Sequence, residues 1–144
     1  MITKIKQLLN TLVPEESPEF DTTSAIVCIL CQVSAADDKP SSEEEAAVIN
    51  TLMKLVNVDK EKAAELLKMG MKEISNDHSV FDFTSQLRDL ESDARVDLIK
   101  AMWVIAYADN NLDEMEEALI RKVAALIYVS HSDFIRTKLE VIPA

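Results

Sequence analysis

The sequence predicts an all-α fold, and three observations carry the prediction. The 144 residues contain a single glycine, Gly70, whereas strands joined by tight turns draw heavily on glycine for positive φ angles. Aromatic residues, which favour sheets, make up only 5% of the chain. Long runs of Ala, Leu, Ile, Glu and Lys, all residues that tolerate helix well, repeat their apolar members at the helical period. A chain of this length can bury a core without disulfide or metal staples, so a single domain over 1–144 is expected.

Within that domain, residues 1–18 read as an amphipathic helix and linker. Ile2, Ile5, Leu8, Leu9 and Leu12 fall at helical spacing, and Pro14 and Pro18 stop the run. Ser24 to Ala36 is apolar on every side, which in a soluble protein marks a helix surrounded by others. It ends at Asp37, Asp38 and Pro40. A third helix starts at Ser41 or Ser42 and runs to about Val56. Asp59 is placed to cap a fourth, extending to Ile74. After the polar break Ser75–His78 come a helix over about Phe81–Leu90 and a new start at Ser92 or Asp93. Ala94 to Ala108 is again apolar nearly all round and ends at Asp109. A partner helix is expected over about Leu112–Tyr128, and a last one, capped by Ser130 or Ser132, fades at Pro143.

Several functional classes are excluded at this level. The net charge of −11 opposes electrostatic binding to nucleic acid or anionic lipid, both polyanions attracted by Lys and Arg clusters. The chain lacks a continuous apolar stretch of membrane-spanning length and a signal-peptide pattern, so a soluble cytoplasmic protein is expected. Cys28 and Cys31 form a C-x-x-C, but apolar residues flank it and it lies mid-helix. A redox cysteine belongs at a helix N-terminus, where the dipole lowers its pKa, so the pair reads as core.

A repeat is the main functional clue. Ala36-Asp37 and Ala108-Asp109 stand seventy-two residues apart, each followed seven residues later by a glutamate, Glu44 and Glu116. The same offset lays Ile26 on Leu98, Leu30 on Met102 and Val33 on Ile105. After a one-residue slip, Leu55-Val56-Asn57-Val58 matches Leu126-Ile127-Tyr128-Val129. The expected architecture is therefore a helix–acidic loop–helix unit used twice about a pseudo-twofold axis.

Two explanations compete for the acidic residues. Ser41 with Glu44, and Asp113 with Glu116, have capping-box spacing, which accounts for the glutamates without a ligand. Glu43, Glu45, Glu114 and Glu117 suit solvated first turns favoured by the helix dipole. Asp37 and Asp109 resist this account, because an anion at a helix C-terminus costs roughly 0.3–1 kcal/mol. A cation held by Asp37, Glu44, Asp109 and Glu116 would offset that cost. Oxygen ligands without His or Cys point to Ca²⁺, Mg²⁺ or Mn²⁺. Without one, carboxylates crowded together would repel, and some would hold protons near neutral pH. Asp109, Asn111 and Asp113 match positions one, three and five of an EF-hand, but Glu114 stands in place of the glycine at six and Ile120 in place of the closing glutamate. Lys39, in the first loop, could supply a counter-charge instead of a metal.

The twin Ala-Asp, short loop and Glu pattern, following apolar helices that carry Trp103 and Tyr107, resembles the TerB-like family of bacterial tellurite-resistance proteins over roughly residues 20 to 140. The resemblance implies a compact bundle of seven to eight helices with internal pseudo-symmetry. It also implies an acidic cluster implicated in divalent metal binding, here Asp37, Glu44, Asp109 and Glu116, and a metal-responsive binding module in tellurite and stress response. Where the family often has Gly after the Asp, this chain has Asp38 and Asn110, which tolerate left-handed backbone.

Catalysis is not expected. Di-iron carboxylate enzymes need Glu-x-x-His pairs, and neither His78 nor His131 has one; both read as solvated. The rival to a metal module is a metal-free interaction module whose acidic patch receives a basic protein partner. Met53, Met69, Met71 and Met115 would suit such a face, but Met at helical spacing is more often core. The partner is expected to be a protein, a second copy of the chain included.

Overall fold

The computed structural model describes residues 22–36, 40–75 and 80–143. Among them lie seven helices and no strand: α1 (Thr22–Ser34), α2 (Ser42–Leu55), α3 (Lys60–Ile74), α4 (Val80–Thr84), α5 (Ser92–Ala106), α6 (Glu114–Leu126) and α7 (His131–Val141). The all-α expectation holds. The N-terminal helix expected over residues 2–12, together with its linker, lies outside the described residues, as do Asp37, Asp38, Lys39 and His78.

The two apolar helices occupy the centre. α1 packs against α2, α3, α4, α5 and α6, and α5 packs against α1, α2, α6 and α7. Ala25, Ile29, Leu30, Cys31 and Val33 of α1 and Leu98, Ile99, Met102, Trp103 and Ile105 of α5 are buried in one hydrophobic cluster. Each large side chain there contributes roughly 1.5–3 kcal/mol of burial. The order of neighbours matches between the halves: α3 lies on α1 and α7 on α5, while α2 reaches across to α5 and α6 to α1.

Local chemistry sets the ends of the outer helices. Ser41 and Asp113 cap α2 and α6 with complete capping boxes, as their spacing predicts. Asp59 accepts from Lys62 N at 2.8 Å, and Ser130 Oγ accepts from Asp133 N at 3.1 Å. α2 and α6 both end in a left-handed residue, Asn57 (φ 56°) and Tyr128 (φ 64°), at positions that correspond in the repeat. After α6 the turn is a Schellman motif, with Val129 N donating to Ala124 O at 2.8 Å and Tyr128 N to Ala125 O at 3.3 Å. Gly70 marks the close approach of α3 to α1, since a Cβ there would stand 2.6 Å from Cys31 Sγ and 2.8 Å from Val27 Cγ1.

Two expectations are corrected. The helix expected to reach Leu90 stops at Thr84; i→i+3 bonds from Gln86 N to Phe83 O and from Leu87 N to Thr84 O replace it. These turns leave Phe83 and Leu87 buried and allow Arg88 Nε to cap Leu126 O at 3.1 Å. α5 starts at Ser92, as expected, after an N-cap at Glu91 that makes no side-chain bond. Met69 and Met115 are not core residues, because each lies on the outer side of its helix with 60% of its surface exposed.

Candidate functional site

The acidic cleft forms where the N-termini of α2 and α6 meet the turn after α5. Its volume is about 520 Å³, and Ser41, Glu44, Asp109, Asn111, Asp113 and Glu116 are among its lining residues. Residues from both halves of the repeat therefore face one space. Three of the four carboxylates expected from the sequence, Glu44, Asp109 and Glu116, are brought together. Asp37, the fourth, lies outside the described residues.

Position on the helix explains the burial of the glutamates. A third-position side chain in a helix leans back over the first turn, and here the first turns of α2 and α6 pack near α1 and α5. Glu44 is thus 5% exposed and Glu116 1%. Burying a carboxylate is costly unless it is hydrogen-bonded. Glu44 Oε1 accepts from Ser41 N at 2.9 Å, Glu116 Oε1 accepts from Asp113 N at 3.3 Å, and both sit at the positive end of a helix dipole.

Asp109 is exposed and has a local role that its spacing did not reveal. Its Oδ1 accepts from Asn111 N at 3.1 Å, closing an Asx turn, while Asn110 takes the left-handed conformation (φ 63°). The turn offsets part of the cost of an anion after α5. Asp113 Oδ2 accepts from Met115 N at 2.8 Å. Asn111 and Asp113 were not among the predicted ligands, although with Asp109 they occupy the EF-hand-like positions one, three and five. That alternation is the signal that places them in the cleft.

A carboxylate has two oxygens and about four acceptor sites, so a backbone cap does not exhaust it. The donors are all oxygen, a set that suits a hard divalent cation in chemistry. Among the described residues, no three His, Cys, Asp or Glu side chains form a group that could hold a metal ion by themselves. A complete shell would therefore draw on Asp37, backbone or amide oxygens, or water.

Cys28, Cys31 and His131 are not among the residues that line the cleft. Cys28 and Cys31 are unbridged and buried, and burial pushes each thiol up to about 12, with the Glu73 charge adding to Cys28 and the neighbouring Cys28 to Cys31. Their expected core role holds. His131 is exposed at the start of α7 and stacked at 5.9 Å on Phe134. No helix of the described residues is long and apolar enough to cross a membrane.

Comparison with known proteins adds one match: a family model described as tellurite resistance protein TerB covers residues 23–139. No curated protein and no solved structure matches the chain.

Proposed function

This chain belongs to the TerB family, and from that membership together with the shared cleft we propose that it is a binding module of the tellurite-resistance type, one that holds a divalent cation between its two acidic loops. Asp37, Glu44, Asp109 and Glu116 would supply oxygens, and Ca²⁺, Mg²⁺ or Mn²⁺ is the class of ion that such ligands select. The observation that carries the reading is the placement of two nine-tenths-buried carboxylates, Glu44 and Glu116, in the wall of one cleft with Asp109. Binding rather than catalysis is the activity we assign. A bound cation would favour the arrangement in which both loops face each other, giving a partner protein a cation-dependent surface to recognise.

A metal-free reading has one observation in its favour. Met115 is exposed and lies on both the acidic cleft and a neighbouring apolar hollow lined by Ala35, Ala36, Ile74, Val80 and Leu119. A basic segment with an apolar anchor would fit that junction.

Titration calorimetry with CaCl₂, MgCl₂ and MnCl₂ separates the two. The cation reading expects saturable heat in the wild type and its loss in Asp37→Asn with Asp109→Asn. Asparagine retains the oxygen that closes the Asx turn, so the loop should survive the change. Wild-type protein that binds none of the three ions, or a double variant that binds as tightly, would sink the cation reading.

A further inference from the structure

Away from the acidic cleft, α2 and α5 together wall a groove of about 670 Å³. On the α2 side its lining includes Glu43, Ala47, Asn50 and Lys54, whose spacing of four, three and four residues runs along one helix face as a coiled-coil seam does. On the α5 side the lining includes Ala101, Val104 and Ala108, small apolar residues with the same spacing. Val104 is 40% exposed. Three groups on the groove have little to bind within the chain. Thr51 is only 9% exposed, yet its hydroxyl makes no hydrogen bond among the described residues, an arrangement that an occupant with a polar group would relieve. Lys54 forms no ion pair among the described residues, and Glu43 has only a contact from Ser42 Oγ at 3.4 Å.

We propose that two copies of this chain pair through this groove, with α2 of each lying antiparallel in the groove of the other. The order of residues along the seam selects a second copy as the occupant. Read backwards, Glu43-Ala47-Asn50-Lys54 becomes Lys54-Asn50-Ala47-Glu43. A twofold axis midway between Ala47 and Asn50 therefore sets Glu43 of each copy beside Lys54 of the other, and a closed twofold interface makes that contact twice. In a parallel, in-register pair Glu43 would meet Glu43 and Lys54 would meet Lys54, so the charges also fix the direction. The alanines on both walls let the helix backbones approach closely. Asp97 and Lys100 line the groove too; they carry opposite charges, and Lys100 is held by Glu140 at 3.3 Å, which leaves the balance to Glu43 and Lys54. The inference does not rest on the cation reading.

Sedimentation equilibrium of the full chain tests it, run in EDTA so that divalent cations play no part. A small, alanine-rich interface places dimerisation in the micromolar-to-millimolar range, and low salt strengthens the charge pairs. Glu43→Lys and Lys54→Glu each turn two attractive contacts into two repulsive ones, so each variant should self-associate about tenfold more weakly than the wild type. Mixed in equal amounts, the two should pair about as tightly as the wild type, because one then carries lysine at both ends of the seam and the other glutamate. Damage to the fold of either variant does not produce that recovery. Val104→Arg, at an exposed position, should abolish the dimer while the protein still melts cooperatively. A wild type that stays monomeric throughout the range would overturn the proposal, as would a dimer that these substitutions leave intact or a mixture that fails to recover.

Discussion

Glu116 separates the two roles that its position combines, because its charge and its hydrogen-bonding shape can be changed independently. In Glu116→Gln the amide oxygen still accepts from Asp113 N, so the capping box of α6 survives, as glutamine commonly serves at this position. Without cation the variant loses a charge-assisted bond and its dipole interaction, about 1–2 kcal/mol together, and gains relief from burying a charge at 1% exposure. Those terms oppose one another, so the metal-free melting temperature should move by only a few degrees. With Ca²⁺, Mg²⁺ or Mn²⁺ at a hundred times Kd, the wild type gains about 2.7 kcal/mol. At roughly 3–4 °C per kcal/mol for this size, the shift is about 8–11 °C. A hundredfold weaker site leaves about 0.4 kcal/mol at the same concentration, a shift of about 1–2 °C for Glu116→Gln. Glu116→Ala removes the cap as well and should lower the metal-free melting temperature by a further few degrees. Calorimetric melts of the three proteins, with and without cation, decide the matter. A glutamine variant that shifts as far as the wild type would refute the assignment of this charge to the site.

Other consequences follow from the packing. Gly70→Ala gains about 1 kcal/mol of helix propensity but forces a methyl against Cys31 and Val27, at a cost of about 1–3 kcal/mol; urea denaturation should show net destabilisation, partly recovered by adding Cys31→Ala. Tyr128→Asn relieves a left-handed aromatic residue worth about 1–2 kcal/mol and gives up a contact of about 0.5 kcal/mol with Arg88, 5.7 Å from the ring centroid. A modest rise in melting temperature is expected, and a fall would mean that the Tyr128 side chain holds the turn. Because burial raises both cysteine thiols to about 12, the unfolded chain loses these protons first. Their contribution to stability is then constant below about pH 9 and falls as pH rises from there toward about 12. Thiol reagents at pH 8 should label the denatured chain and spare the native one; fast native labelling would contradict the burial.

Much of the architecture was legible because it rests on local chemistry. The caps at Ser41, Asp59, Asp113 and Ser130 depend on residues three positions apart, so spacing brought the expected starts of four helices to within about two residues, with α6 expected from Leu112 and α7 capped by Ser130 or Ser132. The all-round apolarity of α1 and α5 marked them as central. The short α4 was harder to read, since Phe83 and Leu87 suit a continuing helix and only the pull of Arg88 toward the end of α6 shows why the chain turns instead. Met115 misled for a related reason: helical spacing places a residue on a face, but a neighbour decides whether that face is covered. At the site, the repeat pointed to Glu44, Asp109 and Glu116, which line one cleft, whereas Asn111 and Asp113 carried only the EF-hand-like alternation and reach the cleft through the turn around Asn110.

By itself the sequence determined the helical class, the positions of the caps, the two central helices and the duplicated Asp-to-Glu spacing, because each is a relation among residues only a few positions apart or a period repeated along the chain. Only the tertiary structure decided that the N-termini of α2 and α6 open on one cleft with the turn after α5, and that Glu44 and Glu116 are buried there. Those outcomes depend on how helices distant in the chain cross, and crossing is set by side-chain packing across the whole core, which local propensity does not encode.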